Sequence, residues 1–145
     1  MVRDNACCVG IVDDDKNIVA TYKKVFERHG IPVCLVAYDG REAVRMFCEA
    51  ERRPAVVIMD ERMYIMSGTE ATQKLVKHDP KLSIIFLSAD ADAMGEAFHA
   101  GAKIFLRKPI SIKVILEAIE LACKNSTTNR YYYDGYKGFV VITLN

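Results

Sequence analysis

This chain has almost no net charge, no long apolar run, and no cysteine or histidine pair at metal-ligand spacing. The formal charge of +1 gives no electrostatic reason to expect nucleic acid, an anionic membrane or an acidic substrate. The longest apolar runs are far too short to cross a bilayer. The opening Met1-Val2-Arg3-Asp4-Asn5 leads into the apolar residues 6–11 and then into acids, without the hydrophobic region or cleavage site of a signal peptide. A cytoplasmic protein is expected. The five cysteines (Cys7, Cys8, Cys34, Cys48, Cys123) are odd in number and include no two-residue-spaced pair. Cys7 and Cys8 are adjacent, so on a strand they point to opposite faces. Free, mostly buried thiols are expected rather than disulfides or a metal centre. His29, His78 and His99 are scattered near expected helix ends and read as surface or capping residues.

What is present is an ordinary globular composition, 51% hydrophobic and 27% charged over 145 residues, enough for one domain with a real core. Short apolar runs recur, each followed by a reactive or basic residue. Cys8-Val9-Gly10-Ile11-Val12 leads to Asp13-Asp14-Asp15, Val56-Val57-Ile58-Met59 to Asp60, and residues 82–87 to Ser88. Lys103-Ile104-Phe105-Leu106 leads to Lys108-Pro109. Short, β-branched-rich runs suit strands buried on both faces of a parallel sheet. Residues 31–37 supply one more strand.

Helical periodicity fills the intervals. Ile18, Val19, Tyr22, Val25 and Phe26 share a face over 15–29, ended by Gly30. Asp39 is a candidate cap for a helix carrying Ala43, Val44 and Phe47. Ser67 and Glu70 have capping-box spacing at the start of a third helix. A short alanine-rich helix spans about 92–100, and a fifth runs over about 111–124. Such alternation requires crossovers with helices on both sheet faces. The expected fold is doubly wound α/β, a five-stranded parallel sheet. Ligands of such sheets bind beyond the carboxyl ends of the strands. Carboxylates, a hydroxyl and an ammonium would meet there, a combination suited to a magnesium ion beside a phosphoryl group.

The ordered motifs resemble a response-regulator receiver domain, the phospho-acceptor module of two-component signalling. They are Asp13-Asp14, the segment 56–63 around Asp60, Met66-Ser67-Gly68, Ser88-Ala89, Gly101-Ala102, Phe105 and Lys108-Pro109. The resemblance implies the flavodoxin-like strand order 2-1-3-4-5. It implies that Asp60 accepts a phosphoryl group from a sensor histidine kinase, a phosphotransfer protein or a small acyl phosphate. It also implies Mg²⁺ held by Asp14, Asp60 and the main-chain carbonyl of Arg62, with Asp13 reaching it through water. Lys108 would pair with a phosphoryl oxygen, and Ser88 would donate to another and draw its loop inward. Phe105 would be the aromatic switch. Such a module switches a protein-binding face for a downstream target and catalyses only its own phosphorylation and dephosphorylation.

Three positions depart from the family pattern. Tyr64 replaces the usual proline after Met63. Arg62 and Asp90 occupy positions that in the family modulate hydrolysis of the phosphoaspartate, and opposite charges there would pair over the site and slow that hydrolysis. Phe105 lacks the hydroxyl of the commoner tyrosine. Two other readings compete. One is a receiver fold that binds partners without phosphorylation. The other is a haloacid-dehalogenase-type phosphatase, for which Asp13 and Asp15 have the right spacing but Lys16, Asn17 and Lys108-Pro109 do not fit.

Residues 1–124 are therefore expected to be the receiver domain and 125–130 a linker rich in Asn, Ser and Thr. Residues 131–145 then form a tyrosine-rich, hairpin-like tail on the Asp134-Gly135 turn. An isolated hairpin is barely stable, so it should dock. The candidates are the parent domain, a second copy (giving a homodimer), or another partner. Fewer than twenty residues in that tail are too few for a DNA-binding or enzymatic output domain.

Overall fold

Runs buried at almost every position form the middle of the sheet. They are β1 (Val9–Val12), β3 (Val56–Asp60), β4 (Ser83–Ser88) and β5 (Ile104–Arg107). The computed structural model describes residues 7–124 and 129–142. Strand β2 (Val33–Ala37), only partly buried, takes one edge. The strands pair in parallel in the order 2-1-3-4-5. Helices α1 (Lys16–Arg28), α2 (Gly40–Glu49), α3 (Gly68–His78), α4 (Met94–Ala100) and α5 (Ile112–Lys124) fill the connections. A single 3₁₀ turn, Ala91–Ala93, precedes α4. No described helix is long and apolar enough to cross a membrane.

Local sequence explains the helix starts. The Asp15 carboxylate accepts from Asn17 N and Ile18 N at 2.9 and 3.2 Å, capping α1. Asp39 accepts from Glu42 N at 2.7 Å and Ser67 Oγ from Glu70 N at 3.2 Å, capping α2 and α3. Each helix then buries one stripe. Phe26 of α1, with Ile115 and Ile119 of α5, packs on the sheet face carrying Ile11, Ile58 and Leu106. Phe47 of α2, Leu75 of α3 and Phe98 of α4 pack on the opposite face, against Met59 and Phe86. Burying each such side chain contributes about 1.5–3 kcal/mol.

The sheet does not stop at five strands. Strand β6 (Arg130–Asp134) pairs with β5 in parallel, Ile104 opposite Tyr131 and Phe105 opposite Tyr132. Strand β7 (Gly138–Ile142) then pairs antiparallel with β6, giving seven strands in the order 2-1-3-4-5-6-7. The tail thus docks on its own chain, the first of the three expected addresses. The Asp134 carboxylate holds the turn, accepting from Tyr136 N and Lys137 N at 2.7 and 3.1 Å. The expected linker falls largely on residues 125–128, outside the described residues, and Arg130 already belongs to β6. The opening 1–6 likewise lies outside them.

The cysteine expectation is corrected. Cys7 is bonded to Cys123 and Cys8 to Cys34, with Cα separations of 6.0 and 5.8 Å; Cys48 is free and exposed. The opposite orientations expected of Cys7 and Cys8 are what allow two bridges from adjacent residues. Strand β1 lies beside β2, bringing Cys34 to one side, and the end of α5 brings Cys123 to the other. The two partners lie 26 and 116 residues away in sequence, so no local spacing announces them.

Candidate functional site

Parallel register assembles the site. Val12 lies opposite Met59, Asp60 opposite Leu87, and Ser88 opposite Arg107. Asp60 and Ser88, which end β3 and β4, and Asp13 and Lys108, which directly follow β1 and β5, therefore emerge side by side at the carboxyl edge. The carboxylates of Asp13, Asp14 and Asp60 each bring an oxygen to within 4.8 Å of the others. Asp13 and Asp60 are 5% and 6% exposed, whereas Asp14 faces solvent.

Burial governs the electrostatics. Desolvation raises the Asp13 pKa to about 6; the Asp15 N–H that donates to it at 2.9 Å opposes the shift, and the charge of Asp60 adds to it. Asp60 is also raised, first by burial, against the lowering effect of its hydrogen bond and ion pair with Lys108 Nζ. Lys108 N donates to Ser88 O at 2.8 Å, tying the ends of β4 and β5 together. The Lys108–Pro109 peptide is cis. Clustered, costly carboxylates of this kind fit a hard divalent cation, which takes oxygen ligands and cancels their repulsion.

Close packing fixes the acceptor's main chain. A Cβ on Gly68 would lie 2.1 Å from the Asp60 carbonyl oxygen, so only glycine fits where α3 begins. Gly68 N donates to Glu61 O at 2.8 Å, and Glu61 N donates to Leu87 O at 3.1 Å. Between Glu61 and Gly68 the loop is less comfortable. Ile65 has φ 70°, with Met66 N donating to Tyr64 O at 2.7 Å, and Tyr64 and Ile65 are 81% and 74% exposed.

The remaining expected residues are placed as follows. Phe105 is buried, stacked on Phe86 with centroids 6.2 Å apart and tilted against Phe98. Arg62 and Asp90 form no ion pair, contrary to expectation. The Asp90 carboxylate instead accepts from Asp92 N at 2.9 Å, capping the 3₁₀ turn, and Asp90 N donates to Ser88 Oγ at 2.9 Å. One contact was not foreseen: the buried Ser88 hydroxyl donates to Glu61 Oε1 at 2.5 Å. Glu61 adjoins the acceptor in sequence, but nothing in its spacing marks its side chain as a partner of Ser88.

This fold and this cluster of acids, hydroxyl and lysine define a receiver domain. Residues 9–120 match the response regulator receiver domain family, and the chain belongs to that family. It is 37% identical over 116 residues to the chemotaxis protein CheY of Thermotoga maritima, covering 79% of this chain and 95% of that protein. It is 33% identical over 116 residues to CheY of Listeria monocytogenes, covering 79% and 96%. Among solved structures it resembles the Francisella response regulator 1452 receiver domain, with TM-score 0.74 and 28% identity over 83% of this chain and 99% of that one. It also resembles a chain of the CheX-CheY-BeF3-Mg complex from Borrelia burgdorferi, with TM-score 0.76 and 25% identity over 82% and 90%. Family membership disfavours the phosphatase alternative. Strands β6 and β7 lie beyond the matched residues.

Proposed function

We propose that the protein is a phospho-acceptor response regulator in which Asp60 receives a phosphoryl group from a histidine kinase, a phosphotransfer protein or a small acyl phosphate. The observation that carries this is the buried Asp60 carboxylate at the end of β3, paired with Lys108 and grouped with Asp13 and Asp14. A carboxylate oxygen of Asp60 attacks phosphorus, forming a P–O bond while the bond to the donor's nitrogen or acyl oxygen breaks and the donor leaves with that electron pair. Asp14, Asp60, the Arg62 carbonyl and, through water, Asp13 would hold Mg²⁺. A cation there supplies positive charge to the phosphoryl oxygens as they develop charge.

Lys108 contributes a second positive charge, already in place beside Asp60. Ser88 donates its hydroxyl proton to a phosphoryl oxygen, and that inward movement is passed to Phe105 on the next strand. The activity is confined to the protein's own phosphorylation and dephosphorylation, and the output is contact with a downstream protein. The tail, carried on β5 itself, forms part of the surface presented to that partner. The domain limits proposed are 1–124 for the receiver and 131–145 for the tail, with the tail's first strand beginning one residue earlier, at Arg130.

The test is intact-mass measurement after incubation with acetyl phosphate and Mg²⁺, alongside Asp60→Asn. A gain of about 80 Da, the mass of one phosphoryl group on the carboxylate, is expected only with Mg²⁺ and only with Asp60 present. Mg²⁺ binding without an adduct, from acetyl phosphate or from kinase, would favour a module that works without phosphorylation.

A further inference from the structure

Ser88 has one hydroxyl proton, and in this conformation it is directed at a carboxylate that is not the acceptor. Two acceptors are in reach of its Oγ, Glu61 Oε1 at 2.5 Å and the Asp90 carbonyl oxygen at 3.2 Å, and the shorter, charged one takes the proton, while the same oxygen accepts the Asp90 N–H at 2.9 Å. Ser88 is 1% exposed, so no bulk water competes for the proton. Glu61 cannot easily drift away, because its main chain is held on both sides, by Leu87 O at 3.1 Å and by Gly68 N at 2.8 Å. Its side chain is only partly buried, so on release it can turn to solvent without losing hydration. A carboxylate oxygen and a phosphoryl oxygen are alike as acceptors, each negative and each able to take a short charge-assisted bond.

We propose that Glu61 is a positioning residue that stands in for the phosphoryl group, holding the Ser88 hydroxyl until phosphorylation takes it over. This rests on the reading of Ser88 as a donor to the phosphoryl group. Phosphorylation then exchanges one acceptor for another. The Ser88 O–H leaves Glu61 and turns to the new anion, which also repels the Glu61 carboxylate outward. The resting state is thus stabilised by a bond that the phosphorylated state must give up. Glu61 raises the threshold for switching without touching the reacting atoms.

Beryllofluoride, which mimics a phosphoryl group on a carboxylate, separates the outcomes when titrated into the full chain with Mg²⁺ and followed by fluorine NMR. Glu61→Ala leaves the Ser88 hydroxyl only the longer, uncharged Asp90 carbonyl and should bind beryllofluoride about tenfold tighter, the factor that corresponds to about 1.4 kcal/mol. Glu61→Gln keeps an acceptor and should fall between Ala and the parent. In a Ser88→Ala background, Glu61→Ala should tighten binding clearly less than it does in the parent, since the bond is already gone and only the repulsion between carboxylate and anion is relieved. Equal tightening with and without Ser88 would overturn the proposal, because it would reduce Glu61 to a nearby negative charge. So would parental affinity in Glu61→Ala while Ser88→Ala still binds more weakly. If Ser88→Ala binds as tightly as the parent, the reading of Ser88 as phosphoryl donor fails, and this inference with it.

Discussion

Asp13 combines burial with a crowded neighbourhood, and its pKa of about 6 makes the site respond to pH. The folded protein binds a proton there that the unfolded chain, with an ordinary value of 3.8, releases earlier. This contribution to stability is complete below about pH 4 and is lost as pH rises through about 6, the loss by neutrality being on the order of 1–3 kcal/mol once solvent screening is allowed for. Without divalent cation, denaturant midpoints should fall from pH 4 to pH 7 less steeply in Asp13→Asn than in the parent. An identical fall in the variant would refute the assignment. Protons and Mg²⁺ compete for these oxygens, so Mg²⁺ affinity should weaken as pH drops below about 6. Ile65 is strained in a different way: its φ of 70° is costly for a β-branched residue. Ile65→Gly should raise stability by about 1 kcal/mol, net of the freedom glycine gains on unfolding. A lower melting temperature in that variant would show that Ile65 makes compensating contacts.

The junction between β3 and α3 is the element where fold and chemistry share the same atoms. An alanine at 68 would put a methyl group 2.1 Å from the Asp60 carbonyl oxygen, so either the strand end or the helix start must move. Gly68→Ala should cost about 2 kcal/mol or more and slow phosphorylation from acetyl phosphate. Normal rates with lowered stability would mean that α3, not Asp60, gives way. The central strands and the helices between them were legible because burial on both sheet faces leaves continuous apolar runs, while one-sided helices leave a 3.6-residue period. Asp13, Asp60 and Ser88 were legible for the same reason, each being the polar residue that ends such a run, whereas Lys108 stands one residue beyond Arg107, the end of β5, and was legible through the Lys-Pro pair of the receiver pattern. The address of β6 was not. Tyr131 and Tyr132 are half-buried on opposite sheet faces, which suits any edge strand, and nothing local names β5 as the neighbour. The Ser88–Glu61 bond was hidden because it depends on the register between β3 and β4, and the expected Arg62–Asp90 pair failed because Asp90 is committed to a cap.

At the scale of the molecule, the disulfides set how the fold responds to reduction. A bridge spanning 116 residues, with another spanning 26, restricts the unfolded chain far more than the folded one. Adding dithiothreitol should lower unfolding stability by about 2–5 kcal/mol, with Cys123→Ser reproducing most of the difference. Denaturant midpoints unchanged by reductant would return these four cysteines to the free thiols that spacing alone suggested. The long bridge also changes what a protease can accomplish. Cys7 and Cys123 enclose every described strand and helix of the parallel core from β1 almost to the end of α5. One backbone cut anywhere between them therefore produces two chains that remain a single covalent molecule. Nicked in the exposed Tyr64–Ile65 loop, the oxidised protein would still run as one band until its thiols were freed, with Asp60 on one fragment and Ser88 and Lys108 on the other.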